Sequence, residues 1–255
     1  MSAEGYPILE FDPDPQAILN PGASGLFGKN PGRCVLCFFM DVIRDLAEKG
    51  ELVEVGRLGS EMGPNPVYQY TRLEGDVLVF HPGVGAPLAG AFLDELVGAG
   101  VNRFIACGGC GVLESGSDVG HPFILTAAVR DEGTSYHYLP PGREVAAHPV
   151  AVAALEQACR EHNLEYRLAK TWTTDGYYRE TRARRALRLL EGCQVVEMEA
   201  AAFFAVAQFR GVICGQIVYA GDLVIPEGWD MRAWADRGDI RRYMFQVAVD
   251  AALLL

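Results

Sequence analysis

The sequence predicts an α/β fold in which strands and helices alternate around a mixed, largely parallel sheet. Short apolar runs with the length of buried strands are followed by segments of helical periodicity along most of the 255 residues. Several of these runs end in glycine-rich turns that lead into a helix. Half of the residues are hydrophobic and 22% are charged, as in an ordinary globular protein. We therefore expect residues 1–255 to form a single domain with a full core.

The first half of the chain is predicted to begin with an arm and to continue with a strand-rich unit. Residues 1–32 are rich in proline, glycine and aspartate, so we expect a largely irregular N-terminal arm. The patterns then predict a strand at 34–39, a helix at 40–49, strands at 52–58, 67–72 and 77–80, and a helix that ends near residue 98. The turn before that helix contains Gly83 and Gly85, which allow backbone amides to approach an anion.

The second half continues the alternation. The patterns predict a glycine-rich strand end at 108–111, a strand at 122–130, a helix at 149–163, a strand at 166–174, a basic helix at 180–190, a strand that ends at Val196, a helix at 200–210, a strand at 212–219 and a closing helix at 231–255. The helix at 200–210 is rich in alanine and phenylalanine and stops at Gly211, which is typical of a buried helix with a glycine cap.

Three acidic residues are predicted to lie at the edge of the sheet where strands end. Glu197 and Glu199 flank Met198 at a strand-to-helix turn, and Asp222 follows the next strand. In open α/β sheets, ligands bind at this edge. An unpaired carboxylate in such an apolar run is costly, and the hydroxyl groups of a sugar would be suitable partners. The alternative is that Glu197 and Glu199 complement the positive end of the helix.

The ordered set of motifs resembles the nucleoside phosphorylase-I family, which includes purine nucleoside phosphorylase, uridine phosphorylase and related nucleosidases. The sequence V-E-M-E-A-A-A around Glu197 is followed by a helix that ends in Gly, an apolar strand and a terminal Asp. The segments 82–111 and 170–181 resemble the family's glycine-rich region and its base-binding segment. The resemblance implies a three-layer α/β sandwich with some barrel-like closure, and a dimer-based homo-oligomer, often a hexamer.

The resemblance also implies a role for each candidate residue of the site. Asp222 would be catalytic, because it would donate a proton to the departing base. The other candidates are ribose-binding (Glu197, Met198, Glu199 and His137), base-binding (Tyr177 and Tyr178) and phosphate-binding (Gly22, Arg33, Gly108 and Gly109). For His137 and the two tyrosines, packing at the surface or rim is the alternative. An Asp at this strand end is typical of the purine enzymes, which favours a purine over uridine.

The phosphate site departs from the family's pattern. Family phosphorylases usually carry an Arg on the strand before the glycine-rich end and a Thr or Ser within it, whereas this chain has Ala106 and Gly109. Phosphate would then be held by backbone amides and by a cation from elsewhere. The candidate cations are Arg33, our first choice, and Lys29, Arg57 or Arg72. The alternative is that water is the attacking group.

We expect phosphorolysis of a nucleoside to free base and pentose 1-phosphate, with inorganic phosphate as co-substrate and with no cofactor or metal. A nucleosidase that uses water and a non-catalytic nucleoside-binding homologue are the alternatives. The net charge of −11 argues against partners such as nucleic acid or an anionic membrane surface. Neither a membrane-spanning apolar run nor an export signal is evident, so we expect a cytoplasmic protein.

The seven cysteines lie mostly in apolar surroundings, and an odd number without an export signal suggests reduced thiols. Cys34 and Cys37 form one CxxC pair, and Cys107 and Cys110 form another. Successive residues of a strand point to opposite faces, so a CxxC on a straight strand is poorly suited to chelation. We interpret the first pair as structural and leave a redox or metal role open for the second.

Overall fold

The computed structural model describes residues 5–22 and 32–255. Its strands are β1 (Arg33–Cys37), β2 (Leu52–Ser60), β3 (Gly63–Arg72), β4 (Gly75–Phe80), β5 (Arg103–Val112), β6 (Pro122–Asp131), β7 (Glu144–Ala146), β8 (Arg167–Thr174), β9 (Cys193–Glu197), β10 (Ile213–Ile225) and β11 (Gly228–Asp230). Its α-helices are α1 (Met40–Glu48), α2 (Ala86–Gly98), α3 (Pro149–Glu161), α4 (Arg182–Leu190), α5 (Ala200–Arg210) and α6 (Gly238–Leu253). Short 3₁₀ turns lie at Pro7–Leu9, Thr134–His137, Tyr177–Arg179 and Trp234–Asp236.

The strands form one mixed sheet that closes partly on itself. Its order is β11-β10-β6-β8-β9-β5-β1-β4-β3-β2, and β7 pairs with β6. β10 pairs with β5 as well as with β6, so β5, β10, β6, β8 and β9 form a ring. The pairs β1–β4, β1–β5, β5–β10, β6–β8 and β8–β9 are parallel. Because of this closure, the ends of β5, β9 and β10 are brought to one place.

Helices cover both faces of the sheet, because side chains of the strands alternate between two cores. On β5, Phe104 and Ala106 face a core to which α2 and α5 contribute. Ile105 and Cys107 face the other core, which α1, α3 and α6 cover. This arrangement gives three layers and confirms the predicted α/β class. It also sends the two members of each CxxC pair into opposite cores, and all seven cysteines are buried and free.

The C-terminal segment differs from the prediction of one helix over 231–255. The helix α6 begins only at Gly238, after the short strand β11 and a 3₁₀ turn. Arg232 and Ala233 have φ values of 48° and 51°, which an α-helix cannot contain. β11 instead pairs with the end of β10 as a hairpin, and that hairpin becomes part of the site described below. In the part of the chain that the structure describes, no helix is both long and apolar enough to span a bilayer.

Candidate functional site

A cavity of about 900 Å³ opens where the ends of β5, β9 and β10 meet. Its wall includes residues 108–111, 180–182, 196–199 and 221–222, Tyr177 and Tyr178, and Phe38, Phe39, Gln216, Trp229, Trp234 and Arg241. A volume of this size is typical of a small-molecule site. The structure thus brings together most of the candidate residues from the sequence, and the exceptions are Gly22, Arg33 and His137.

Both carboxylate oxygens of Glu197 accept hydrogen bonds from within the chain. One carboxylate oxygen, Oε1, accepts from the hydroxyls of Thr173 and Thr171 at 2.5 and 3.2 Å. The other, Oε2, accepts from the amides of Glu199 and Ala200 at 2.7 and 2.6 Å. The two amides belong to the first turn of α5, where a helix needs acceptors. Because two of its four donors are amides of the first turn of α5, Glu197 fixes the position of Glu199, and its ribose contact stays a prediction.

Glu199 stands at the N-cap of α5 and reaches across to the beginning of α2. Its Oε1 accepts from the amide of Gly85 at 2.6 Å. Gly85 is the N-cap of α2 and has a φ of 93°, a conformation that favours glycine. Glu199 is 6% exposed and lines the wall of the cavity. Glu199 therefore joins two helix starts at the candidate sugar site.

Burial raises the pKa of both carboxyl groups of this pair. The hydrogen bonds from Thr173 and from the first turn of α5 oppose the effect of burial at Glu197. At Glu199, the negative charge of Glu197 raises the pKa further. Burial and this neighbouring charge therefore favour the protonated form of Glu199 more than in an ordinary glutamate, and a protonated carboxyl group can both donate and accept.

Asp222 is directed to the cavity by an irregularity in β10. The register of β10 against β5 shifts between Ala220 and Leu223, as in a β-bulge that re-aims a side chain. Asp222 Oδ2 accepts from the indole N–H of Trp229 on β11 at 2.6 Å. Among the residues that the structure describes, Oδ1 of Asp222 has no hydrogen-bond partner in the chain, so this oxygen is available to a ligand.

Tyr177 and Tyr178 lie at the open mouth of the cavity. They are 56% and 87% exposed, and their ring centroids are 4.3 Å apart. Trp229 is also on the wall and is 64% exposed. Exposed aromatic rings at a cavity mouth are suited to stacking on a planar heterocycle. The mouth is therefore the candidate position for a base.

The opposite part of the cavity, around the glycine-rich end of β5, is mainly apolar. A Cβ built on Gly108 would lie 3.2 Å from the ring of Phe38, which follows β1 together with Phe39. Ala106 is paired with Gln216 of β10, a 1% exposed residue whose Oε1 has no partner within the described residues. Gln216 carries no charge. β10 therefore does not supply the positive charge that an Arg at position 106 would have provided.

A cation does reach the wall from α6. Arg241 donates to Asp41 at 2.8 Å, and its guanidinium lies 5.4 Å from the ring centroid of Phe39 and 5.7 Å from that of Trp234. Its Nε is buried and without a hydrogen-bond partner in the described part of the chain. It also interacts with the hydroxyl of Tyr219, the ring that a side chain on Gly109 would touch. Arg241 therefore replaces Arg33 as our candidate for the missing cation.

The three remaining candidates from the sequence lie away from the cavity. Arg33 is at the amino end of β1, and it donates to the carbonyl of Leu253 at 3.2 Å. Gly22 packs next to Gly98 at the end of α2, whereas the cavity adjoins the start of that helix. His137 is exposed in the turn Thr134–His137 and does not line the cavity of this chain. Arg33, Gly22 and His137 therefore do not line this cavity, and their predicted contacts with phosphate and ribose are not supported by it.

The alternative cations are not better placed. Arg57 is bound to Glu54 on the exposed face of β2, and Arg72 donates to Gln246 at 2.8 Å. Lys29 lies outside the described residues. Three residues that line the cavity, Glu180, Gln216 and Arg241, were not among the candidates from the sequence. For Glu180 a signal was present, because it directly follows the tyrosine pair, whereas Arg241 comes from a distant helix and has no local motif.

Comparison with known proteins adds independent information. The sequence model of the phosphorylase superfamily matches residues 33–241. Guanosine phosphorylase from Halorubrum lacusprofundi is 30% identical over 188 residues, which cover 74% of this chain and 73% of that protein. Uridine phosphorylase from Thermococcus kodakarensis is 29% identical over 152 residues, 54% of this chain and 55% of that one. The crystal structure of AMP nucleosidase from Bacteroides thetaiotaomicron shares the fold, with a TM-score of 0.68 and 23% identity over 87% of this chain and 86% of that one.

The raised pKa of Glu199 predicts how the unfolding free energy of the protein, measured without added nucleoside, depends on pH. A carboxyl group whose pKa is raised on folding contributes stability at low pH, and this contribution is lost as the pH rises above 4.5, the ordinary pKa of a glutamate. We expect the unfolding free energy to fall between about pH 5 and about pH 8, by about 1.4 kcal/mol for each unit of pKa shift. The Glu199→Gln variant cannot titrate and should show a flatter profile in urea denaturation. The exposed Glu227→Gln variant is the control, and equal slopes in all three proteins would contradict the shift.

Proposed function

The chain belongs to the phosphorylase superfamily, and we propose that it cleaves the N-glycosidic bond of a nucleoside in the cavity at the ends of β5, β9 and β10. The observation that carries the proposal is the presence of two acids, Glu199 and Asp222, on the wall of this cavity. Glu199 is buried at the start of α5 and Asp222 stands at the bulge of β10. Cleavage of such a bond needs a group that holds the sugar and a group that protonates the base.

Glu199 would bind the ribose hydroxyls. As the bond to the base breaks, the sugar becomes electron-poor and resembles an oxocarbenium ion. A carboxyl group that accepts from the sugar hydroxyls offsets this change, and the hydrogen bond from Gly85 keeps it in place. Met198, which is also on the wall, would pack against the sugar ring. Glu197 fixes the first turn of α5 and hence the position of Glu199.

Asp222 would protonate the leaving base. The base departs with excess electron density, and a proton on a purine nitrogen removes that charge. The indole N–H of Trp229 holds one oxygen of Asp222, and the other oxygen would act on the base. Tyr177 and Tyr178 would cover the face of the base at the cavity mouth. Support for a purine comes from this acid and from the relative named guanosine phosphorylase.

For the attacking group we propose inorganic phosphate, with no further cofactor. The two relatives described above carry names of phosphorylases, and Arg241 offers a cation on the cavity wall. Phosphate carries about two negative charges at neutral pH, which an apolar site has to offset. Backbone amides near Gly108 and Gly109 would provide further donors. We also propose a homo-oligomer, because the exposed tyrosines and His137 could then be covered by a neighbouring subunit.

Hydrolysis is the second candidate, and one observation favours it. Next to Gly108 and the preceding Ala106, the neighbouring side chains of Phe38 and Gln216 are neutral. The unpartnered Oε1 of Gln216 could accept from a water molecule at the position where a dianion would be poorly stabilised. Water would then attack the sugar, and the products would be free base and free pentose.

Phosphate dependence separates the two candidates. We expect initial rates of base release from a panel of nucleosides to rise with phosphate concentration and pentose 1-phosphate to accumulate. Arg241→Gln should raise the KM for phosphate about 10- to 100-fold, on the scale of a lost charged contact, and leave the KM for the nucleoside nearly unchanged. Arg242→Gln is the matched control, because Arg242 is adjacent in α6 but pairs with Asp45 outside the cavity. Free pentose formed at the same rate without phosphate would establish a nucleosidase.

The role of Asp222 can be tested through the leaving group. Asp222→Asn should lower kcat for purine nucleosides about 10²-fold or more, because the amide cannot donate the proton that the base requires. The loss should be much smaller for 7-methylguanosine, whose base already carries a positive charge and needs no protonation. The measurement is kcat for both types of substrate in both proteins. Equal losses on both types would show that Asp222 is only structural.

A further inference from the structure

We propose that His81 is a positioning residue for the sugar site and makes that site sensitive to acid. Its neutral imidazole holds the turn before α2, and the same turn provides the amide that binds Glu199. Protonation of His81 would release the turn, and Glu199 would lose this contact. The inference rests on the proposed function, since it concerns the acid that would bind the ribose.

His81 lies directly after β4 and opens the turn that leads into α2. Its Nδ1 accepts a hydrogen bond from the amide of Gly83 at 3.1 Å. Two residues further on, the amide of Gly85 donates to Oε1 of Glu199 at 2.6 Å. Val84, between the two glycines, lines the cavity. The turn is therefore held by one side chain at each end, and its middle residue belongs to the cavity wall.

The turn depends on these two side chains because of its backbone. Gly83 and Gly85 have φ values of 77° and 93°, and Gly85, the N-cap of α2, has no side chain that could cap the helix. Amides at a helix start need acceptors from elsewhere. His81 and Glu199 supply acceptors for two amides of this segment. Removal of either acceptor should therefore loosen the turn.

The imidazole of His81 can accept this hydrogen bond only when it is neutral. A neutral imidazole has one nitrogen that accepts and one that donates, whereas both nitrogens of the protonated form donate. A proton on Nδ1 would face the amide N–H of Gly83, so the contact would become repulsive. Burial lowers the pKa of His81, and the backbone of Phe38 acts in the opposite direction. The neutral form therefore persists below the ordinary pKa of 6.5 and is lost in more acidic solution.

Within the described residues, no charged side chain acts on His81. Asp41, in the first turn of α1, is paired with Arg241. The other charged residues of the neighbouring elements β1, β4, α2 and α5 lie towards the far ends of those elements: Arg33, Asp76, Asp94, Glu95 and Arg210. Titration of His81 therefore acts on the turn and not on a neighbouring ion pair.

His81 also contacts the other loop that borders the cavity. Its ring centroid lies 5.9 Å from that of Phe38, and the two rings are inclined at 71°. Phe38 in turn covers Gly108, where a Cβ would lie 3.2 Å from its ring. The sugar contact is the more direct readout, because the turn reaches Glu199 through a hydrogen bond.

Asparagine at position 81 provides a matched test. Its Oδ1 can accept from the amide two residues further on, as Nδ1 of His81 does, but it does not titrate. His81→Asn should therefore keep the sugar site organised at every pH, whereas His81→Leu should loosen it at every pH. The control is His148→Asn. Nδ1 of His148 accepts from the amide of Val150 at 3.3 Å in the same local arrangement, at the start of α3 and outside the cavity.

The KM for a nucleoside is measured with each protein at about pH 7.5 and about pH 5, on either side of the ordinary pKa of histidine. On acidification, we expect the KM of the native protein to rise about 3- to 10-fold more than that of His81→Asn, on the scale of one lost hydrogen bond. His81→Leu should show the raised KM already at the higher pH, and His148→Asn should follow the native protein. Titration of Glu199 is common to all four proteins and cancels in the comparison.

Two kinetic results would overturn the inference. One is an equal rise of KM in the native protein and in His81→Asn, because the acid effect would then not come from His81. The other is a failure of His81→Asn to restore the KM that His81→Leu loses, because the hydrogen bond to Gly83 would then not be what holds the site.

Hydrogen exchange of the turn gives a readout that needs no turnover. The native protein and His81→Asn are compared at the same pH without nucleoside, so the intrinsic pH dependence of amide exchange cancels. We expect peptides that contain residues 83–85 to exchange equally at about pH 7.5 and about 3- to 10-fold faster in the native protein at about pH 5. Equal exchange at both pH values would contradict the role of His81. If exchange differs as expected but no nucleoside is cleaved at either pH, the proposed function fails and the role of His81 in the turn stands.

Discussion

The site depends on the burial of two neighbouring carboxyl groups, Glu197 and Glu199, at the junction of β9 and α5. Buried acids are tolerated when donors surround them, and here the donors come from separate parts of the chain. β8 provides two threonine hydroxyls, the first turn of α5 provides two amides, and the start of α2 provides the amide of Gly85. These contacts hold one strand and two helix starts together. The position of Glu199 is therefore defined by hydrogen bonds that also hold these elements of the fold together.

On either side of Glu197 and Glu199, the side chains of the cavity wall differ in polarity. Towards the mouth it becomes aromatic and acidic, with Tyr177 and Tyr178 near Glu180 and Asp222. Towards the glycine-rich end of β5 it becomes neutral and apolar, with Phe38 and Phe39 beside Gly108. An anionic co-substrate in the second region would rely on Arg241, so the proposed choice of phosphate over water depends on this one cation.

Much of the fold and part of the site could be predicted from local sequence. Apolar periodicity located most strands and helices up to β10, with the short β7 as an exception, and the Glu197-Met-Glu199 turn led to the cavity because strand ends share one edge. Arg33 is close in sequence to the cavity residues Phe38 and Phe39, which follow β1, but it lies at the other end of that strand, so closeness in sequence did not imply closeness in space. Arg241 could not be found in this way, since the approach of α6 to Phe39 is set by packing between distant segments. The bulge at Asp222 and the hairpin with Trp229 likewise depend on pairing that no local pattern encodes.

The central claim is that Glu199, held by Gly85 and Glu197, binds the sugar of a nucleoside. A crystal structure of the Asp222→Asn variant with guanosine tests it most directly, because the slowed reaction leaves the substrate intact. We predict a ribose hydroxyl within about 3 Å of a Glu199 carboxyl oxygen, with the base near position 222 and beside Tyr177. A nucleoside bound elsewhere, or one bound in this cavity with no sugar oxygen within hydrogen-bond distance of Glu199, would contradict the account.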